Sequence, residues 1–403
     1  MKKFIILSTH FWPERFIIND LAEKFKKKGC KFSVITGMPN YPKGEIFKKY
    51  KNIKKLYREY FKGIEVLRIP IYPRKNASSF NLIINYLSFI FNGIRFLKSH
   101  KFEDKIENIF VYATSPITAC LLGIYLKKKL NCKMVIWVQD LWPESVKSTG
   151  HIKNLFFLKI ISKIVKYIYE NTDIIIAQSN SFKNNIKKYS NKKIHVVENF
   201  HWNLKSKSKI KFNNSLKKII NNYFCVTFAG NIGKAQSIIT ILKAAKKLET
   251  YKKIKFLFIG EGSEIIKYKN YIKKNNIKNV NFLGSFNSAK TFQILRRSKI
   301  QVLTLKKEYI FSLTIPQKFS TYLAVGKPLV ISADGEVAKI TNKFKVGLTG
   351  NAENYNQLAQ NILKLYKSRK SKIKKIETNC KKLFKEKFEI NNQSKKLLNL
   401  IYS

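Results

Sequence analysis

Five segments hold the residues whose types and spacing suit chemistry. Ser8 to Arg15 (STHFWPER) places His10, Trp12 and Glu14 in a loop after an apolar run. A strand handing over to a helix there can aim backbone N–H groups at a phosphate. Trp137 to Glu144 (WVQDLWPE) sets Asp140 and Glu144 beside Trp142. Aromatic faces next to acceptor carboxylates suit sugars, which stack through C–H faces and donate through hydroxyls. The same residues also read as a helix cap and core indoles, and two carboxylates suggest glycoside hydrolysis. In Phe228 to Lys234 (FAGNIGK), Gly230 and Gly233 allow tight backbone, Asn231 lies between them, and Lys234 adds charge at a helix start, as a diphosphate cradle requires. Ile259 to Glu264 (IGEGSE) puts Glu261 in a second glycine turn, suited to a base or ribose edge. In Ser312 to Val330, Pro316 opens a helix, Lys318 and Thr321 share a face, and Gly326 closes it.

These loops need strands to hold them. Strand-length apolar runs alternate with helical-period segments along the chain, the pattern of parallel sheets wound by helices. One series predicts strands at 4–7, 32–36, 65–68, 109–112, 134–138, 174–177 and 195–197; a second predicts them at 224–229, 255–259, 280–283, 301–305 and 328–331. Between the series, the polar, basic, aperiodic stretch Asn203 to Lys218 reads as a linker, which puts a domain boundary near residue 205. The expected organisation is a first Rossmann-like domain over 1–205, a second over 206–370, and a helical tail over 371–403 that packs back on the first. Two doubly wound domains imply a cleft at the carboxyl ends of their strands. Such an arrangement weakens the hydrolase reading. The first loop lacks GxGxxG, which disfavours a nicotinamide or flavin dinucleotide, and FAGNIGK is not a Walker P-loop.

The 403 residues carry 79 Lys+Arg against 24 Asp+Glu, a formal charge of +55, with 45% hydrophobic residues. That content excludes a disordered chain. The charge favours polyanions, but abundant Lys, Asn, Ile, Phe and Tyr also fit a biased coding sequence, and the lysines are spread rather than gathered in a basic arm. With no zinc finger, RNP-type motif or clustered basic helix, nucleic acid is not the expected partner. Cys30, Cys120, Cys132, Cys225 and Cys380 form no CxxC pair, so neither disulfides nor a zinc site is expected. The N-terminal apolar run is short and lacks a cleavage site, and reads as a strand. Phe80 to Leu97 is apolar nearly all round but broken by Asn81, Asn85, Asn92 and Arg95, so it reads as a buried helix or a membrane-contacting one.

Taken in order, HFWPE, the TGMPNYP of 36–42, VQDLWPES, FAGNIGKAQS, IGEGSE and IPQKFSTYLAVGKP resemble bacterial family 4 glycosyltransferases of the GT-B fold. The nearest branch serves O-antigen, capsule and exopolysaccharide synthesis and includes N-acetyl-L-fucosamine transferases. The resemblance covers residues 1 to about 370. It implies two Rossmann-like domains facing across a cleft, and retaining, metal-independent transfer from a nucleotide diphosphate sugar. The acceptor implied is an undecaprenyl diphosphate-linked saccharide at the cytoplasmic membrane face. Carried over, Gly230, Asn231, Gly233, Lys234, Glu261, Pro316, Lys318 and Thr321 hold the donor. Asp140 and Glu144 lie near the reacting carbon, Lys234 and Lys318 face the leaving diphosphate, and His10, Trp12, Glu14 and Trp142 stand on the acceptor side. Two departures stand out: Leu313 and Thr321 occupy the places of a paired Glu motif, leaving Glu308 as the nearby carboxylate, and His10-Phe11-Trp12 replaces a glycine-rich loop. A sugar-nucleotide epimerase of the same fold would differ by needing no acceptor, and a catalytically silent binding protein of a polysaccharide complex or of nucleic acid by binding no donor.

Overall fold

The computed structural model describes residues 3–149, 154–201 and 212–403. The chain forms two compact units, one of residues 1–198 with 393–403 and one of residues 199–392. In the first, the strands are β1 (Lys3–Leu7), β2 (Phe32–Gly37), β3 (Tyr57–Phe61), β4 (Ile64–Ile69), β5 (Ile106–Ala113), β6 (Lys133–Val138), β7 (Ile174–Ala177) and β8 (Ile194–Val196). They form one sheet in the order β3-β4-β2-β1-β5-β6-β7-β8, parallel except for the β3–β4 hairpin. The second unit has β9 (Phe224–Ala229), β10 (Ile254–Ile259), β11 (Val280–Phe282), β12 (Ile300–Thr304), β13 (Leu329–Ser332) and β14 (Gly347–Gly350), ordered β11-β10-β9-β12-β13-β14 and all parallel.

Each sheet is doubly wound, as the two apolar series predict. Central strands such as FIIL in β1 and MVIWV in β6 are buried at every position, which is why they read as continuous apolar runs rather than as alternation. In both sheets the strand order reverses beside the first strand, between β1 and β5 and between β9 and β12. Open α/β sheets bind ligands at that reversal.

Two strands carry no such signal. Tyr57–Phe61 (YREYF) is an edge strand turned onto β4 by Lys62 and Gly63, both at positive φ (51° and 74°), a two-residue hairpin without the usual Asn-Gly pair. Gly347–Gly350 is short and has no bulky residue at either end; a Cβ on Gly347 would stand 2.0 Å from the Leu329 carbonyl oxygen.

The expected boundaries also shift. Residues 202–211, most of the supposed linker, lie outside the described residues, and its end is helical: Asn214–Asn222 is capped by the Asn213 side chain and buries Leu216 and Ile220. The chain joins the second unit before residue 205, because the His201 N–H donates to the Phe388 carbonyl (2.8 Å) and the Gln317 amide to that of Phe200 (2.7 Å). The segment 371–403 is not one tail. Helix Lys370–Lys387 packs on helix Gln317–Val325 through a face containing Ile376, Cys380, Leu383 and Phe384. Only residues 393–403 return to the first unit, where the Tyr402 ring meets Phe4 edge-on at 5.8 Å.

Helix Ser79–Lys98 is long and apolar enough to cross a membrane, yet part of it is buried in the first unit. Asn85, Phe89, Ile90, Gly93 and Leu97 face inward while Phe80, Ile83, Leu87 and Phe91 are exposed. It is therefore half core and half surface. All five cysteines are free thiols.

Candidate active site

In the second unit the loops after β9 and β10 are fastened to each other. The Gly230 N–H donates to the Ile259 carbonyl (2.9 Å), that of Ile232 to Glu261 (2.8 Å) and that of Glu264 to Ile232 (3.1 Å). Only glycine permits this approach: Gly260 has φ +133°, and a Cβ on it would lie 2.1 Å from the Gly230 carbonyl oxygen. Gly260→Ala is expected to cost on the order of 2–3 kcal/mol by urea denaturation. Gly284→Ala, at φ +75° with nothing within 4 Å, should cost only the left-handed backbone penalty of about 1 kcal/mol. Equal losses would show that the close approach contributes nothing.

Lys318 projects from helix Gln317–Val325 towards this junction. Its Nζ donates to Gln236 Oε1 at 2.5 Å, stands 4.0 Å from the Phe228 ring centroid, and lies 3.2 Å from where a Gly230 Cβ would be. Desolvation pushes its pKa down to about 7. The Tyr322 hydroxyl, one turn on, accepts from the Ala229 N–H (2.8 Å) and donates to the Ala229 carbonyl (3.2 Å), fixing the end of β9. Pro316 caps the helix without a side-chain hydrogen bond. The Phe319 N–H donates to the Pro316 carbonyl (2.8 Å), which leaves the N–H groups of Gln317 and Lys318 to an anion. Thr321 turns its hydroxyl back to the Gln317 carbonyl (3.4 Å).

Two expected donor groups are placed elsewhere. Lys234 is exposed on the wall of a separate cavity of about 610 Å³ shared with Lys267, Lys274 and Lys306, and none of Gly230, Asn231, Glu261 or Lys318 lines it. The start of helix Ile238–Lys247 already has a carboxylate: its cap residue Ser237 donates to Glu353 Oε1 (3.1 Å). Glu308 is exposed at the start of the short Tyr309–Leu313 helix and makes no side-chain cap bond there. Asn231 and Glu261 are exposed at the rim of the glycine turns.

In the first unit the loops after β1 and β5 meet at the strand-order reversal, where the Thr9 and Thr114 hydroxyls are 3.2 Å apart. His10 Nδ1 is 2.8 Å from Glu14 Oε2, and the ring stacks on Phe16 at 4.8 Å. Glu14 Oε1 accepts the N–H groups of Asn40 (2.8 Å) and Tyr41 (2.6 Å), so this carboxylate ties the β1 and β2 loops together. The Trp12 ring stacks on Phe61 at 5.2 Å, and its carbonyl accepts from the buried Arg68 guanidinium. Arg68 pairs in turn with Glu59. Burial works to raise the Glu59 carboxyl, but hydrogen bonds from Lys49 and Arg68 hold it below its ordinary range.

Asp140 follows β6 and lines a cavity of about 440 Å³ with Arg74, Tyr86, Ser115, Trp142 and Ser145. Burial raises its pKa, opposed by the Ser145 and Ser115 hydroxyls and the Leu141 N–H. The Trp142 indole donates to Ser115 Oγ (3.1 Å) and meets Tyr86 edge-on. Glu144 does not line this cavity. Its Oε1 accepts from the Asn185 amide (3.0 Å) and the Tyr189 hydroxyl (3.2 Å), so the two carboxylates do not form a pair. Trp137 is core, fully buried, with its indole on the Val197 carbonyl (3.1 Å). Tyr86 and Ser115 carried no functional signal, since they join Asp140 only through the sheet; Gln236 and Phe228 likewise meet Lys318 only in the fold. Among the described residues no three His, Cys, Asp or Glu side chains are grouped to hold a metal ion.

Known families match both units. Residues 16–200 match Glycosyltransferase Family 4, and residues 210–383 match Glycosyl transferases group 1. The chain is a glycosyltransferase of the group 1 and family 4 type. The transferase is 22% identical to the probable glycosyltransferase WbjE of Pseudomonas aeruginosa over 68% of this chain and 70% of that protein. It is 21% identical to the putative colanic acid biosynthesis glycosyl transferase WcaI of Escherichia coli K12, over 85% and 86%. Its fold is that of Anabaena HepE, crystallised in complex with UDP, with a TM-score of 0.69, 12% identity and full coverage of both chains. In the transferase, then, the glycine turns and Lys318 occupy the half that matches group 1, and Asp140 the half that matches family 4.

Proposed function

We propose that the transferase moves a sugar, by resemblance an N-acetylated deoxyhexosamine, from a UDP-linked donor to an undecaprenyl diphosphate-linked saccharide, with retention, at the cytoplasmic face of the membrane during surface polysaccharide synthesis. The observation that carries the donor half is Lys318: a desolvated amine beside two glycine turns and an open helix start holds its positive charge against a leaving diphosphate once one is bound. Charge grows on that diphosphate as the anomeric C–O bond breaks, and preorganised donors there are often the largest catalytic contribution. Lys318 and the first N–H groups of its helix supply them without a metal ion.

The HepE complex with UDP supports a uridine nucleotide, and the colanic acid role in the WcaI name supports a polysaccharide product. Asp140 either orients the acceptor hydroxyl or stabilises the developing cation. The exposed apolar face of helix Ser79–Lys98, flanked by Lys75, Arg95 and Lys98, supports contact with an anionic membrane.

A panel of UDP-, GDP- and dTDP-sugars tests the donor, because a ligand of the folded state raises Tm in step with RT ln(1 + [L]/Kd). UDP-sugars should give the largest shift, and transfer to the lipid-linked acceptor with release of UDP should persist in EDTA. A shift with none of the three overturns the donor reading. Interconversion of free donor without acceptor would make the protein an epimerase.

A further inference from the structure

The cavity at Asp140 has walls that a sugar alone does not explain. One wall is Leu82, Ile83 and Leu87 of helix Ser79–Lys98, the other Phe157, Ile160 and Ile164 of helix Leu155–Glu170. Hydroxyl groups against these side chains would lose their hydrogen bonds. The cavity's charged groups, Arg74 and Asp140, meet at Tyr86 and Ser115, and the rest of its polar lining is the small hydroxyls of Ser79, Thr118 and Ser145. Tyr86 has its pKa raised by burial and countered by the neighbouring Arg74. Among the described residues Arg74 forms no ion pair; its guanidinium lies over the Tyr41 ring at 5.5 Å.

The apolar walls continue to the surface. Phe80 and Leu155 are each 70% exposed, and Phe91 and Phe156 nearly as much, all on the same two helices. Exposed apolar surface on this scale marks an interaction site. The charge around it is one-sided: helix Ser79–Lys98 has Arg95 and Lys98 and no acid, and helix Leu155–Glu170 has Lys159, Lys163 and Lys166 with Glu170 only at its end. A bilayer would cover the outer residues. It would not fill a concave space of about 440 Å³ that ends on a carboxylate and an arginine, a volume within the ~300–1,000 Å³ of ligand pockets.

We infer that this groove takes the isoprenoid chain of the acceptor, with the chain's phosphate against Arg74 and its sugar-bearing end at Asp140. The inference rests on the reading of a lipid-linked acceptor and adds where the lipid lies and what recognises it. The groove then does two things at once: it selects an aliphatic diphosphate, and it delivers the attached saccharide to the reacting carboxylate.

The test titrates the full-length protein in non-ionic detergent with geranylgeranyl diphosphate, geranylgeraniol and inorganic pyrophosphate. Geranylgeranyl diphosphate should bind at least tenfold tighter than pyrophosphate. Leu82→Trp and Ile164→Trp, which fill the groove, should each weaken it at least tenfold, while an unchanged hydrogen-exchange protection of the first unit's strands reports that the variants are folded. Arg74→Gln should weaken the diphosphate but not the alcohol. Phe80→Ser with Phe156→Ser, outside the cavity, should reduce sedimentation with phosphatidylglycerol vesicles and leave geranylgeranyl diphosphate binding unchanged. Equal binding of pyrophosphate and isoprenoid diphosphate, or indifference to both Trp substitutions, overturns the groove while leaving the lipid-linked acceptor intact. A detergent-sensitive dimer that protects both helices from hydrogen exchange would replace the lipid with a second copy and also overturn it. A chain-free sugar diphosphate glycosylated as fast as its lipid-linked counterpart overturns the acceptor reading itself, whatever the Trp variants do.

Discussion

Lys318→Met is expected to lower transfer by about 10²- to 10³-fold and, at the same time, to stabilise the protein by about 0.5–2 kcal/mol at neutral pH. The two effects have one cause. Desolvation has pushed the Lys318 pKa down to about 7, so the folded protein bears a cost for charging this amine that the unfolded chain does not. Between about 7 and the ordinary lysine value near ~10.4, the unfolded state binds a proton that the folded state has released. Stability therefore rises with pH across that window, and the penalty is fully present below it. Methionine removes the charge and keeps the volume; the Gln236 Oε1 left without its 2.5 Å donor offsets part of the gain. The advantage of the variant should shrink as pH rises towards 10.

A bound diphosphate reverses the balance by restoring a counter-charge. UDP binding between pH 7 and 9 should take up protons, seen in calorimetry as an enthalpy that changes with the ionisation heat of the buffer, and the Met variant should lose that dependence. UDP affinity in wild type should decline as pH passes upward through about 7. Transfer within threefold of wild type in Lys318→Met would show that the amine does not serve the phosphate.

That a functional lysine destabilises its own fold explains why part of the site could be read from sequence and part could not. Gly260 and Gly262 were legible because a close backbone approach excludes every other residue, and Gly230 because its φ of +141° disfavours any side chain, so the requirement is written in the residue type. Tyr322, which fixes the end of β9, was not legible, whereas Lys318 was, on the helix that Pro316 opens and on a face read as shared with Thr321. Its partner Gln236 lies 82 residues away and meets it only once β9 and β12 are neighbours. Lys234 had the right type and the right loop, but the turn over 234–236 carries it outward to a different cavity. Charge near a glycine turn does not fix the direction of a side chain. The fold shows the same division: buried parallel strands announce themselves as apolar runs, whereas YREYF of β3 and GLTG of β14 are edge strands whose pairing is set by the hairpin turn and by the close contact of Gly347 with Leu329. Helix Ser79–Lys98 could be read either as buried or as membrane-contacting because its sequence is apolar on both faces; the fold buries one of them.

Asp140→Asn should abolish transfer more cleanly than any other single change in the first unit, by about 10²-fold or more, with UDP affinity unchanged. Asparagine approximates the protonated carboxyl in shape and hydrogen bonding, and burial already raises the pKa of Asp140. The folded state thus holds its proton more tightly than the unfolded chain, and stability falls as pH rises from the ordinary carboxylate value through the raised one. Asn should for that reason leave Tm unchanged or higher at neutral pH, which separates a catalytic loss from a folding defect. Wild-type transfer should decline on acidification at a higher pH than an exposed aspartate would produce. Donor hydrolysis distinguishes the two roles open to this group. If the carboxylate orients the acceptor hydroxyl, slow hydrolysis of the donor by water survives in Asp140→Asn; if it stabilises the developing cation, hydrolysis falls with transfer. Glu144→Gln is the control, since Glu144 is turned to Asn185 and Tyr189 rather than into the cavity. A loss as large as that of Asp140→Asn in this variant would mean that the paired-carboxylate arrangement, and not Asp140 alone, performs the chemistry.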